Sequence, residues 1–250
     1  MVSRLAVASF IVILSGCATV SHEMSVVPGL ALHPVSRTDA DTIVFARSIT
    51  RAGHDSTGGM RRVVIHILHP RSRPPLLEVE QLFPGGGGEI VDTALAELAT
   101  LRAVAHRSHQ PTRTMRFAFD STSAFGRVAT LRPTGDSVAD IRQVLGGPIF
   151  DSNVIDLVVA ALPLQPGFQA DLPFFIYERG GRVMMPVTVR ERASVSFARL
   201  GPRDTWIVTV GVPGAPATVW VDARTQRALR VRYDIAGRNL SFTDERITPL

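Results

Sequence analysis

The sequence contains no lysine; every one of its 27 fixed basic charges is arginine. A genome biased toward GC-rich codons explains that choice, but it has a chemical consequence. The Gly85–Gly88 run is not followed by Gly-Lys-Ser/Thr, and no lysine exists to reach a phosphate, so a P-loop is excluded. Only one cysteine is present, at position 17, so there is no disulfide framework and stability must come from burial. After the first 16 residues no apolar run approaches the roughly twenty residues of a spanning helix. The arginines are scattered rather than gathered into a stripe, which argues against nucleic acid. There is no Gly-x-Ser-x-Gly elbow. Asp55-Ser56-Thr57-Gly58 carries one residue too many for an aspartic-protease loop and has no second copy.

What is present begins at the N-terminus. Arg4 precedes an apolar segment, Leu5 to Leu14, which leads into Ser15-Gly16-Cys17. A basic start, a short apolar core and small residues before a cut form a secretory signal. Leu14-Ser15-Gly16-Cys17 also resembles, at all four positions, the lipobox of bacterial lipoproteins. The resemblance implies cleavage before Cys17 and acylation (palmitate among the chains) of that cysteine, which removes it as a nucleophile. Several acyl chains hold a protein on a bilayer almost permanently, at about 0.8 kcal/mol per buried methylene. Ala18 after the cysteine implies, by the same resemblance, an outer-membrane protein facing the periplasm. The expected organisation is a signal at 1–16, a lipidated flexible tether at 17–38 and a single β-rich periplasmic domain at 39–250. Cleavage removes Arg4 and no acid, lowering the formal charge from +5 to +4.

A hydrophobic fraction of 45% with 20% charged residues describes a globular domain with a real core. Strand-like runs dominate it. Residues 42–48, 62–69, 76–83, 89–98, 101–108, 112–120 and 124–131 read as strands, with 51–59, 70–75 and 84–88 as loops. Ser137-Val138-Ala139-Asp140 resembles a capping box and predicts a short helix ended by Gly146-Gly147. A second helix, capped by Asp151 or Ser152, runs to Leu162 and is apolar almost all round, which predicts burial against a sheet. Strands resume at 170–178, at 182–197 as one long strand or a bent pair, and at 205–212, 217–221 and 228–235. Residues 239–243 read as a final edge strand. Asp222 is placed to bond the turn amides that follow it. The fold class expected is mainly β: a curved antiparallel sheet or half-open barrel with one or two short helices on its concave face.

The passage Val219-Trp220-Val221-Asp222, the turn Ala223 to Gln226 and Ala228-Leu229-Arg230 resembles the closing hairpin of the LolA and LolB lipoprotein-carrier families and related envelope proteins. The apolar helix and Pro163-Leu164-Gln165-Pro166-Gly167 before it fit the same pattern, over about residues 113–242. The resemblance implies a half-barrel with helices in its concave face; no ligand residue matches position by position.

Two His-x-x-His pairs, His66/His69 and His106/His109, are the candidate metal ligands. On strands, residues three apart point to opposite faces, so neither pair chelates alone and a site needs all four to converge. Two functions follow. One is a non-enzymatic lipoprotein, without cofactor, whose partners are the membrane (through Cys17) and a lipid or other apolar small molecule; if its apolar surface is all core, it is a structural or interaction module. The other is a periplasmic metal-dependent or hydrolytic enzyme using those histidines. An open apolar groove would favour the carrier and a filled one would sink it; convergence of the histidines would favour the enzyme, and their scattering would remove it.

Overall fold

The computed structural model describes residues 30, 32–33, 40–85, 87–177 and 180–250; the expected signal at 1–16, Cys17 and most of the expected tether lie outside them. Eight strands form an antiparallel meander: β1 (Ala40–Arg51), β2 (His54–Leu68), β3 (Leu76–Gly85), β4 (Gly88–Glu97), β5 (Ala103–Gln110), β6 (Arg113–Phe119), β7 (Ser123–Thr130) and β8 (Ser137–Val144). The β1–β2 turn is Ala52-Gly53, both at positive φ (49° and 83°), as the twist of a two-residue hairpin demands. Residues 54–59, expected as a loop, are paired strand. Their two glycines serve a bulge where the β1–β2 register shifts at Arg47/Ser48. A Cβ on Gly58 would sit 2.7 Å from Arg47 Cγ, so glycine there marks close packing rather than a break. The same correction applies at 84–88, where the strands continue until Gly85 pairs with Gly88.

Residues 137–144 are also strand, not helix. The capping-box residues are a local signal only, and pairing along the whole length of β7, from Ser137↔Thr130 to Val144↔Ser123, overrides it. Gly146 and Gly147, both at positive φ, then turn the chain inward.

A short β9 (Phe150–Asp151) leads through a 3-10 turn (Ser152–Val154) into α1 (Ile155–Ala161). A second meander follows: β10 (Gln169–Ile176), β11 (Gly181–Phe197), β12 (Gly201–Val210), β13 (Ala217–Asp222), β14 (Ala228–Ile235) and β15 (Leu240–Arg246). The last strand is not an edge. It lies between β14 and β1, so both meanders join in one sheet ordered β8 to β1, β15 to β10, then β9. The hairpin at Asp222 is held as expected: its Oδ1 accepts from the amides of Arg224 (3.0 Å) and Thr225 (2.7 Å).

The sheet curves around α1, which touches β13 and β14 on one side while β9 and the 3-10 turn touch β4 and β5 on the other. All seven α1 residues are buried. At seven residues the helix is far below the roughly 12–15 needed for stability in isolation. Burial makes it: Val158, Val159 and Leu162 are 0% exposed, and each such side chain contributes about 1.5–3 kcal/mol. The concave face is therefore a filled core. A second cluster, around Met115, Phe117, Phe175 and Tyr177, packs β10 onto β5–β7.

Candidate functional site

Strand alternation sends one residue in two toward the concave face, and at one level those residues are polar. Arg47 on β1 lies opposite Asp244 on β15 and binds it through two bonds, Nε to Oδ1 at 2.7 Å and Nη2 to Oδ2 at 2.8 Å. Arg61 on β2 donates from Nη1 to Asp244 Oδ2 (3.3 Å) and from Nη2 to Asp156 Oδ2 (2.7 Å). Asp156 sits in the first turn of α1, where its Oδ1 also accepts from the Leu157 amide at 3.0 Å. Arg61, Asp156 and Asp244 are all buried. Burial pulls the Arg61 pKa down, but the charges of Asp156 and Asp244 outweigh it and leave it raised. The guanidinium also lies over the Phe45 ring at 4.9 Å. Two arginines thus face two aspartates, and the chain of contacts ties helix to sheet.

The row continues across β3 and β4. Gln81 Nε2 donates to the Asn153 carbonyl of the 3-10 turn. Beside Gln81, Asp92 faces Ser108. Burial raises the Asp92 pKa, against a Ser108 hydrogen bond and the neighbouring His106. A polar cavity of about 180 Å³ opens here, lined by Arg47, Arg61, Gln81, Asp92, Tyr233 and Asp244 among others. Among the described residues no hydrogen-bond partner meets the buried Arg61 Nε or Asp92 Oδ1. The Tyr233 phenol on the cavity wall has a raised pKa, chiefly through burial.

Deeper in, His106, Asp151 and Tyr177 form a cluster at 1%, 0% and 4% exposure. His106 Nδ1 lies 3.0 Å from Asp151 Oδ2, the same oxygen that accepts from the Tyr177 hydroxyl at 2.7 Å. The imidazole and phenol rings stack at 3.9 Å. Asp151 Oδ1 accepts from the Asn153 amide at 2.8 Å, capping the 3-10 turn as its position predicts. An imidazole oriented by a carboxylate is half of a general-base arrangement. Here it is sealed from solvent, and its geometry instead fastens β5, β9 and the end of β10 together.

The four histidines do not converge. His106 points inward; His66 and His109 are exposed on the outer face of β2 and β5, and His69 is exposed in the turn after β2. Opposite facing of His106 and His109 is the strand geometry expected of residues three apart. Among the described residues no group of three or more His, Cys, Asp or Glu is placed to hold a metal ion. An apolar opening does exist, at the rim rather than inside the sheet: a cavity of about 300 Å³ bordered by Leu30, Leu32, Ala99, Pro148 and Phe150. The Glu97–Arg102 ion pair stands at its margin. The His33 amide donates to the Ala161 carbonyl (2.7 Å), fixing the incoming chain at the end of α1.

Sequence reasoning named His106 for the wrong chemistry and missed Arg47, Arg61, Asp92, Asp156, Tyr177 and Asp244. One signal was readable: Asp156 is the lone acid inside an otherwise apolar helix, and a carboxyl buried with that helix needs hydrogen bonds or a cation to meet it.

Residues 61–243 match the family DUF3108, described as a protein of unknown function. A search of curated proteins gives no match. Among solved structures, the chain is similar to a β-barrel-like protein of the DUF1849 domain from Brucella abortus. Identity is 11%, over 85% of this chain and 97% of that one, with a TM-score of 0.49. It is also similar to a DUF1329 family protein from Desulfovibrio piger ATCC 29098, at 8% identity over 84% of this chain and 85% of that one, TM-score 0.32.

Proposed function

We propose that this chain, which belongs to the DUF3108 family of proteins of unknown function, is a lipid-anchored, non-enzymatic binding module of the bacterial cell envelope. Cys17 holds it at the membrane surface, on the outer-membrane side of the periplasm, and the rim cavity takes an acyl chain. The lipobox supports the anchoring. The observation that carries the binding site is the placement of apolar space: α1 fills the concave face, whereas Leu30, Leu32, Pro148 and Phe150 leave an opening at the rim. That opening is lined on one side by Leu30 and Leu32, with the Glu97–Arg102 ion pair at its margin. With the concave face filled by α1, the interior carrier site expected from the LolA/LolB resemblance falls; the rim opening is a different site and stands on its own lining.

Two measurements test this. Cells fed an alkyne fatty acid should label the wild-type chain and leave Cys17→Ser unlabelled; equal labelling overturns the anchoring. Mass spectrometry of a chain starting after Gly16, with Cys17→Ser, should recover an acyl lipid. Ala99→Arg, which places a charge at the exposed mouth of the cavity, should lose it. Recovery of no lipid above background, or equal recovery with Ala99→Arg, overturns the rim site.

A further inference from the structure

The sheet has two ends, and they differ. β9 is two buried residues, while β8 is eight residues long with seven of them exposed. Val138 and Val144 are 59% and 76% exposed. Long free edges are normally blunted by proline, a bulge, an inward-pointing charge or charged side chains along the edge. Among the described residues nothing pairs with the outer side of β8, which has no proline, no bulge and no inward charge. Its pairing with β7 is unbroken, and its inward residues are Ala139, Ile141 and Gln143. Its two charges, Asp140 and Arg142, are of opposite sign and so complementary to a second copy.

The hydrogen-bond phase of this edge is set by its neighbour. The Leu145 amide donates to the Thr122 carbonyl, continuing the β7–β8 ladder. Backbone groups alternate sides along a strand, so odd-numbered residues bond to β7. Val138, Asp140, Arg142 and Val144 direct their N–H and C=O groups to the open side. The same four side chains share the outer face, reading Val-Asp-Arg-Val.

We propose that β8 pairs antiparallel with β8 of a second copy of this chain, about a two-fold axis at Ile141. In that register Asp140 lies opposite Arg142 and Val138 opposite Val144, each pair occurring twice, and all four outward N–H groups of each copy meet a carbonyl. Shifting by two residues, the smallest step that keeps the bonding phase, sets Asp140 against Asp140 or Arg142 against Arg142 on the axis. Like charges directly opposite are destabilising, so the central register is selected by charge. The existing contacts survive it. Asp140 keeps Arg127 on β7 (2.7 Å), and Arg142 keeps its place over the Phe125 ring (5.4 Å). An isologous interface of this kind closes at two copies and leaves only the short, buried β9 at each end of the joined sheet.

The full chain in native membranes tests the register by cysteine crosslinking. Ile141→Cys should give a covalent dimer on mild oxidation, because a non-hydrogen-bonded antiparallel pair brings Cα atoms to about 4.5 Å. Asp140→Cys should not. In detergent, sedimentation should show a dimer that Arg142→Pro reduces to monomer with far-UV circular dichroism unchanged, since that proline removes only an outward N–H. Asp140→Arg should weaken the dimer about tenfold, and adding Arg142→Asp should restore it. A monomeric wild type, a dimer indifferent to Arg142→Pro, or crosslinking at position 140 in place of 141 overturns the proposal.

Discussion

Arg61→Met isolates the contact between helix and sheet. Methionine is apolar and overlays the arginine side chain as far as Nε, so the change keeps the apolar stem and removes the guanidinium with its charge. The two carboxylates that Arg61 touches fare differently. Asp244 keeps both bonds from Arg47, at 2.7 and 2.8 Å. Asp156, with its side chain 6% exposed, keeps only the Leu157 amide. Leaving one buried charge uncompensated costs about 3–5 kcal/mol. Loss of the contact with the Phe45 ring adds roughly 0.5–2 kcal/mol. Urea unfolding followed by circular dichroism and tryptophan fluorescence should show this as a midpoint lowered by about 1–2 M, at the slope of roughly 3 kcal/mol per M expected of a domain this large. The decisive comparison is Arg61→Met with Asp156→Leu. Replacing a buried pair by apolar residues is often neutral, so the double variant should recover at least about half of the loss. A single variant within about 1 kcal/mol of wild type, or a double variant no more stable than the single, refutes the account.

Two other outcomes follow from the same belt. Tyr177→Phe removes the hydroxyl that donates to Asp151 Oδ2 at 2.7 Å; a hydrogen bond to a buried carboxylate contributes about 1.5–3 kcal/mol, and the unfolding midpoint should fall accordingly. Asp92, whose pKa burial raises, keeps its proton in the folded state to higher pH than in the unfolded chain. Folding therefore takes up a proton above the ordinary carboxylate value of about 3.9, and stability declines as pH rises through that window. Asp92→Asn should match wild type at pH 3 and exceed it at pH 7 in thermal unfolding; the reverse order would contradict the burial argument.

The sheet was legible wherever one face is wet. β3 alternates Leu77 and Val79 against Glu78 and Glu80, and β14 sets Leu229, Val231 and Tyr233 against Arg230 and Arg232; both fall where the alternation places them. The reading failed where a short-range signal competed with pairing. Gly58, Gly59 and Gly85 looked like loop residues, yet they lie in strands where an added Cβ would come within 3 Å of a neighbour. The Ser137–Asp140 box looked like a helix start, yet one strand partner outweighs a cap contributing about 1 kcal/mol. Position within the sheet was not legible at all. Residues 239–243 read correctly as strand, but nothing local says that β15 lies between β14 and β1.

That placement of β15 is what makes the polar belt. Asp244 reaches Arg47 and Arg61 only because the last strand pairs with the first, across 197 positions of sequence in the case of Arg47. Arg61 in turn reaches Asp156 only because the chain between β8 and β10 folds into the concave face. Each of these residues, read alone, is an ordinary surface charge on an alternating strand. Their burial is a property of topology, which no spacing rule encodes. The partial exception is Asp156: an acid in an otherwise apolar helix must be protonated, hydrogen-bonded or paired once that helix is buried. Here it accepts from the Leu157 amide and meets Arg61 of β2, and that contact fixes α1 to the sheet.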